Sequence, residues 1–367
     1  MKDVVSYYRD LHRMPELSGA EVETAMYLEQ ELLRIGYLPQ RIGKTGIYAD
    51  LVSEPQLPWL LLRADTDALA IQENSCADVI SENSGVMHAC GHDAHCAMLL
   101  EAAKVLYGKT LPQNIRFLFQ PAEETTKGAA EMIENGVIPQ NLCACFAMHL
   151  WPGVEKGKVV TCSGKMMASS DVFFIRISGR KAHCAQQHLG ADALQTALTI
   201  ATGLNDIRKQ ATDPQTILFC GSIHSGSSHN VVPDEATLMG TLRSFSPWDR
   251  LALKTGVENL CRHAAQAYDT KVSLVWDGGC PAIHNDAELI RVLQKLNPTI
   301  CDDLSPTMAA EDFACYQDFA PGVMMWMGVG DVPPLHNEAF YVPTEVLPQG
   351  VELWMKIARH KWKRVEL

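Results

Sequence analysis

The chain has 367 residues and a mass of 40.5 kDa, 47% of it hydrophobic, which calls for two domains or one large one with a substantial core. A formal charge of -12 and a pI near 5.5, with no dense lysine or arginine cluster, exclude a phosphate-backbone partner, because nucleic-acid binding needs a basic face. No stretch reaches the roughly 18–20 apolar residues of a membrane span, and Lys2, Asp3, Arg9 and Asp10 put charges where a signal peptide has its apolar region, so a cytoplasmic protein is expected.

From the N-terminus, apolar residues at helical spacing predict a helical segment from Val4 to Ile35, with Gly36 as its C-cap. Four short apolar runs then read as buried strands: Pro58–Leu62 running into Arg63-Ala64-Asp65, Ile115–Phe119, Cys145–Met148 ending at His149, and Val323–Met327. Helical patterning covers Ala94–Tyr107 and Gly128–Asn135 between them. Strands alternating with helices predict an α/β fold with a mostly parallel sheet.

Between about Ser169 and Gly279 the rhythm changes. Strands at Asp171–Ser178, Thr216–Ser222, Ala236–Ser244 and Lys271–Trp276 alternate with helices at Ala191–Lys209 and Pro247–Tyr268. That order, β-α-β-β-α-β, is the ferredoxin-like pattern. The expected organisation is a main domain of residues 1–168 plus 280–367, interrupted by an inserted domain of residues 169–279. Edge strands of such an insertion can pair across a two-fold axis, so a homodimer is expected.

Twelve cysteines do not read as a disulfide framework in a chain of this length. Cys143, Cys145, Cys220 and Cys301 read as small buried hydrophobes. Cys90 has different company, lying in Met87-His88-Ala89-Cys90-Gly91-His92-Asp93-Ala94-His95, just before a helix. Thiolate and imidazole bind zinc and similar cations, and Gly91 permits a tight turn that brings Cys90 and His92 to one point. Asp93 reads equally well as the N-cap of that helix. The pair Glu123-Glu124 follows a strand and reads either as a solvated acidic loop or, beside cations, as one ligand and one general base. His149 reads either as a core histidine or as a ligand, and His336 follows Pro333-Pro334 in a loop. Open α/β sheets bind ligands at the carboxyl ends of their strands, where Asp65, Asp67, Glu123, Glu124 and His149 are expected. One cysteine, three histidines and a glutamate are too many for one tetrahedral ion and point to two.

These residues resemble the aminoacylase–carboxypeptidase family of co-catalytic metallohydrolases, in its N-acyl-amino-acid amidohydrolase branch. The matching text includes Leu11-His12-Arg13-Met14-Pro15-Glu16-Leu17, Arg63–Leu69, His88–Asp93, Phe119–Glu124, Met148-His149, His183, Asn230–Pro233, Gly240–Arg243, Glu311-Asp312-Phe313 and Leu335-His336-Asn337. The resemblance implies two divalent metal ions per subunit (zinc, manganese, cobalt or nickel). Cys90 would bridge them, and His92, Glu124, His149 and His336 would complete the protein ligands. It implies a metal-bound water as nucleophile, Glu123 as general base, and Asp65 and Asp67 as groups that orient the ligands. His183 would donate to the oxyanion, while Asn230 and Arg243 would bind substrate. It also implies an N-acyl amino acid or small N-acyl amine as substrate, and an inserted dimerisation or lid domain. The chain departs from the family at Ala70, Thr125 and Lys181–His188, none of which is an expected ligand. Rival readings are a dipeptidase or aminopeptidase with the same metals, a thiol hydrolase using Cys90, and a closed structural zinc site.

Overall fold

The computed structural model describes residues 2–362. It divides into two compact units. The larger carries the chain up to Met166, Ile283–Pro306, and the chain from Glu311 onward; the smaller carries Met167–Ala282 and Thr307–Ala310. No described helix is long and apolar enough to cross a membrane.

The larger unit is built on a seven-stranded sheet in the order Gln40–Ile42, Gly46–Leu51, Asn114–Gln120, Trp59–Asp65, Leu142–Pro152, Gly322–Gly330 and Val159–Val160. The four central strands run parallel, and antiparallel strands close both sides. The central sequences are near-continuous apolar runs, as strands covered on both faces require. On one face Leu60, Leu62, Phe117, Phe146, Met148, Leu150, Met325 and Met327 pack with Met98, Leu99 and Leu106 of the helix His92–Leu106 and with Trp354 and Ile357 of the helix Leu347–Arg359. Fully burying each such side chain is worth about 1.5–3 kcal/mol. The alternate positions Arg63, Asp65, Gln120, His149 and Trp326 serve the other face.

The smaller unit has a four-stranded antiparallel sheet, in the order Ile217–Ser225, Glu235–Arg243, Ser170–Ser178, Lys271–Cys280. One face, with Phe173, Ile175, Ile177, Leu238 and Leu242, packs on Ala197, Ile200 and Leu204 of the helix Ala193–Arg208 and on Leu253 and Val257 of the helix Pro247–Ala267. On the other face Val275, Phe174 and Met239 pair in register across three strands and remain 54%, 38% and 43% exposed.

Four expectations need correction. The first helical segment is two helices, Val4–Arg13 and Val22–Ile35, because Pro15 disfavours helical backbone at Met14 and Gly19 takes a left-handed φ of 78°; Gly36 does cap the second, at φ 117°. His149 lies inside the strand Leu142–Pro152, not beyond it, since parallel pairing with Gly322–Gly330 continues past His149 to Pro152. The N-cap of His92–Leu106 is Gly91, with Asp93 already in the first turn and its carboxylate directed to His12 Nδ1 at 2.6 Å. Cys143 and Cys145 are buried, but Cys220 and Cys301 are half-buried, Cys220 lying on an edge strand.

Candidate metal centre

Cys90 and His92 flank Gly91, whose left-handed φ of 81° turns the chain sharply into the helix His92–Leu106. Cys90 Sγ lies 3.4 Å from His149 Nε2. The donor atoms of Cys90, His92 and His149 lie within 4.8 Å of one another, and so do those of Cys90, Glu124 and His336. The five predicted ligands therefore form two donor triples that share one thiol. His336 holds a left-handed φ of 63°, and its backbone N–H donates to Ala89 O at 2.9 Å, which ties its loop to the Cys90 turn.

The donor chemistry fits cations. His92 Nε2 is buried without a hydrogen bond, 3.9 Å from Glu124 Oε1, whose own near contact is the ion pair with His336 Nε2 at 3.2 Å. Such an orphan costs about 1–3 kcal/mol unless something satisfies it. The other nitrogen of His92, Nδ1, is 3.2 Å from Asp67 Oδ1 and donates to it, which leaves Nε2 as the nitrogen facing the donor cluster.

Asp67 also shapes the base. Its oxygens accept the backbone N–H groups of Glu123 at 3.1 Å and Glu124 at 3.0 Å, and the Ser18 hydroxyl at 2.7 Å. One carboxylate thus fixes both the His92 ring and the turn that presents the paired glutamates, between left-handed residues Ala122 and Thr126. Glu123 is 7% exposed. Burial, reinforced by Glu311, Asp312 and Glu124, pushes its carboxyl well above the usual range, the direction a general base near neutral pH requires. Against the penalty of burial, His92, His95 and Arg63 hold Asp65 well below its ordinary value.

Not every residue of the histidine-rich motif joins the donor set. Neither ring nitrogen of buried His88 has a hydrogen bond, and burial lowers its pKa to about 4. Cys90 is a poor free nucleophile, since burial and the neighbouring Glu124 and Glu123 push its thiol well above its ordinary value; the imidazole facing it, His149, is itself held well below its ordinary value by burial, which weighs against a thiol-hydrolase pair. Sequence reasoning missed the buried hub at Arg63, whose guanidinium meets Asp65 at 2.7 Å, Asp312 at 2.8 Å and Glu311 at 3.0 Å. The signal was present in Arg63 and in Glu311-Asp312, since charges in apolar runs need partners.

His183, Asn230 and Arg243 belong to the smaller unit. His183 is exposed and accepts the Ala185 N–H on Nδ1 at 3.2 Å, so a neutral ring carries its proton on Nε2. Asn230 is its neighbour, since Cys184 N donates to Asn230 O at 3.0 Å. Arg243 ends the strand Glu235–Arg243, and its Nη1 donates to Met308 O at 3.1 Å.

The chain matches peptidase family M20/M25/M40 over residues 61–360. It is 33% identical to the N-acetylcysteine deacetylase of Bacillus subtilis, over 97% of this chain and 96% of that one. It is 37% identical to the N-acyl-L-amino acid amidohydrolase of Geobacillus stearothermophilus, over 77% of this chain and 78% of the relative. Among solved structures, a dinuclear metal-binding peptidase of family M20 from Bacillus subtilis superposes with a TM-score of 0.83 at 29% identity, covering 99% of this chain and 98% of that one. The matched region contains every residue of the two donor triples. This protein therefore belongs to peptidase family M20/M25/M40 and is a metallohydrolase.

Proposed function

We propose that the enzyme hydrolyses the amide bond of an N-acyl amino acid or a related small N-acyl amine at a pair of divalent cations. The observation that carries this reading is the sharing of Cys90 by two donor triples, with Glu123 buried beside them and outside both. The names of the deacetylase and amidohydrolase relatives support the substrate class.

Cys90 would bridge the cations, with His92 and His149 on one and Glu124 and His336 on the other. Zinc, manganese, cobalt and nickel all suit this thiolate, imidazole and carboxylate set. The cations supply Lewis acidity at the scissile carbonyl and make water acidic enough to react near neutral pH. Glu123 takes the proton of the attacking water and returns it to the departing amine as the C–N bond breaks, so acid and amine leave with protons balanced. Asp65 and Asp67 keep the imidazole ligands oriented. His183 presents Nε2–H to the tetrahedral oxyanion, and Arg243, through its pairing with the substrate carboxylate, and Asn230 bind the substrate.

The same reading makes residues 169–279 an inserted ferredoxin-like domain and the enzyme a cytoplasmic homodimer through it. Strand order and the exposed row Val275, Phe174 and Met239 support the dimer. The test is a panel of N-acetyl and N-benzoyl amino acids assayed beside free dipeptides, with each metal supplied in turn. Preference for the N-acyl compounds is expected; turnover of dipeptides alone would replace this reading with a dipeptidase.

A further inference from the structure

His95 sits one turn into the helix that begins at His92, 2% exposed, and its ring lies in a donor group with Asp65 and His92. Proximity alone would make it a ligand, but its hydrogen bonds exclude that. Nε2 accepts the backbone N–H of Leu150 at 2.9 Å, and Nδ1 lies 2.6 Å from Asp65 Oδ1. A backbone N–H can only donate, so Nε2 holds the lone pair and the proton is on Nδ1, facing the carboxylate. Both ring nitrogens are then occupied.

The far end of this contact lies next to His149. Leu150 offers its N–H to His95, and its carbonyl accepts His149 Nδ1–H at 2.7 Å. These two backbone groups are available because the pairing of Leu142–Pro152 with the strand Trp59–Asp65 ends at Ala147, leaving that flank without a ladder partner. With its proton committed to Leu150 O, His149 turns the lone pair of Nε2 toward Cys90, 3.4 Å away. Asp65 is itself braced, its second oxygen taking Arg63 Nη1 at 2.7 Å, and Arg63 and Asp65 are 1% exposed. A buried chain of hydrogen bonds thus runs from Arg63 through Asp65 and His95 to the Leu150 N–H, and the carbonyl of the same residue, in the next peptide group, sets the tautomer of His149.

We infer that His95 is a positioning residue for His149, acting by fixing the backbone of Leu150 and never as a ligand. The inference rests on His149 being a metal ligand. Groups that orient a ligand in this way typically change metal affinity by about 10- to 100-fold when lost.

The test is a stepwise zinc titration of the chelator-stripped full-length enzyme against a competing indicator. His95→Met, which fills the space without donating or accepting well, should weaken one of two zinc sites by about 10- to 100-fold and leave the other unchanged. His95→Gln should recover most of that loss, because its amide can donate to Asp65 and accept from Leu150 at once. His149→Ala should abolish the same site. If His149→Ala keeps both zinc ions, the ligand reading itself fails. If it loses one while His95→Met binds both tightly, the ligand reading stands and the inference is overturned. A Gln variant no better than Met also overturns it, because packing and not hydrogen bonding would then be the cause. Should the Met variant not fold, Asp65→Asn replaces it. That change leaves every ring and backbone atom in place but removes the charge holding the proton on Nδ1, and unchanged zinc affinity there would overturn the inference.

Discussion

Replacing Asp67 by asparagine tests how the centre is held. The carboxylate accepts four hydrogen bonds, with Glu123 N and His92 Nδ1 on one oxygen and Glu124 N and Ser18 Oγ on the other. Asparagine keeps one acceptor oxygen and turns the other into a donor. The cheaper placement puts the new NH2 toward Glu124 and Ser18, where the hydroxyl can rotate to accept but the Glu124 N–H cannot. One buried N–H is then orphaned, costing about 1–3 kcal/mol. The variant should lower the metal-free unfolding free energy by that amount in a urea titration and weaken zinc binding about 10- to 100-fold. The acid limb should also flatten. Against burial, His92, Ser18 and the Glu124 N–H hold Asp67 below its ordinary value of 3.8, so its contribution is present above that pH and lost as pH falls through the lower folded value. A variant with the wild-type midpoint and wild-type zinc affinity would refute the assignment of Asp67 as the anchor.

Three further changes separate the roles. Glu123→Gln should bind metal normally and lose about a thousandfold or more in turnover; near-normal turnover would remove Glu123 from the mechanism. His183→Ala should cost about 10²–10³ in kcat, as for a lost oxyanion donor, with metal content unchanged by elemental analysis; loss of metal would make it a ligand instead. His12 lies between Asp93 at 2.6 Å and Glu73 at 3.2 Å, which against burial hold its pKa up at about 10 from 6.5. Its contribution to stability is full below pH 6.5 and is lost as pH rises through 10, so denaturation midpoints should fall across that window and His12→Gln should flatten the fall.

The sheet was legible because its central strands are apolar on both faces, as Leu60-Leu61-Leu62 and Phe117-Leu118-Phe119 state directly. Cys90-Gly91-His92 and Glu123-Glu124 stood out in the sequence as clustered thiol, imidazole and carboxylate groups, and the fold does bring Cys90, His92 and Glu124 into donor groups. The break at Pro15 was readable and was overridden by the surrounding helical periodicity. Other features depend on partners far along the chain. Asp93 looked like a helix cap until its carboxylate found His12, and His149 looked like a strand end because its ladder is completed by Gly322–Gly330. The partners of His95 were out of reach for the same reason, since Asp65 and Leu150 meet it only in the folded sheet.

The most direct test is the number of zinc ions held per chain by the wild type and by Cys90→Ala. A thiolate shared between two ions predicts two equivalents in the wild type and weakened binding of both in the variant. One equivalent in the wild type, or a variant that loses one ion and holds the other with full affinity, would contradict a centre built around Cys90.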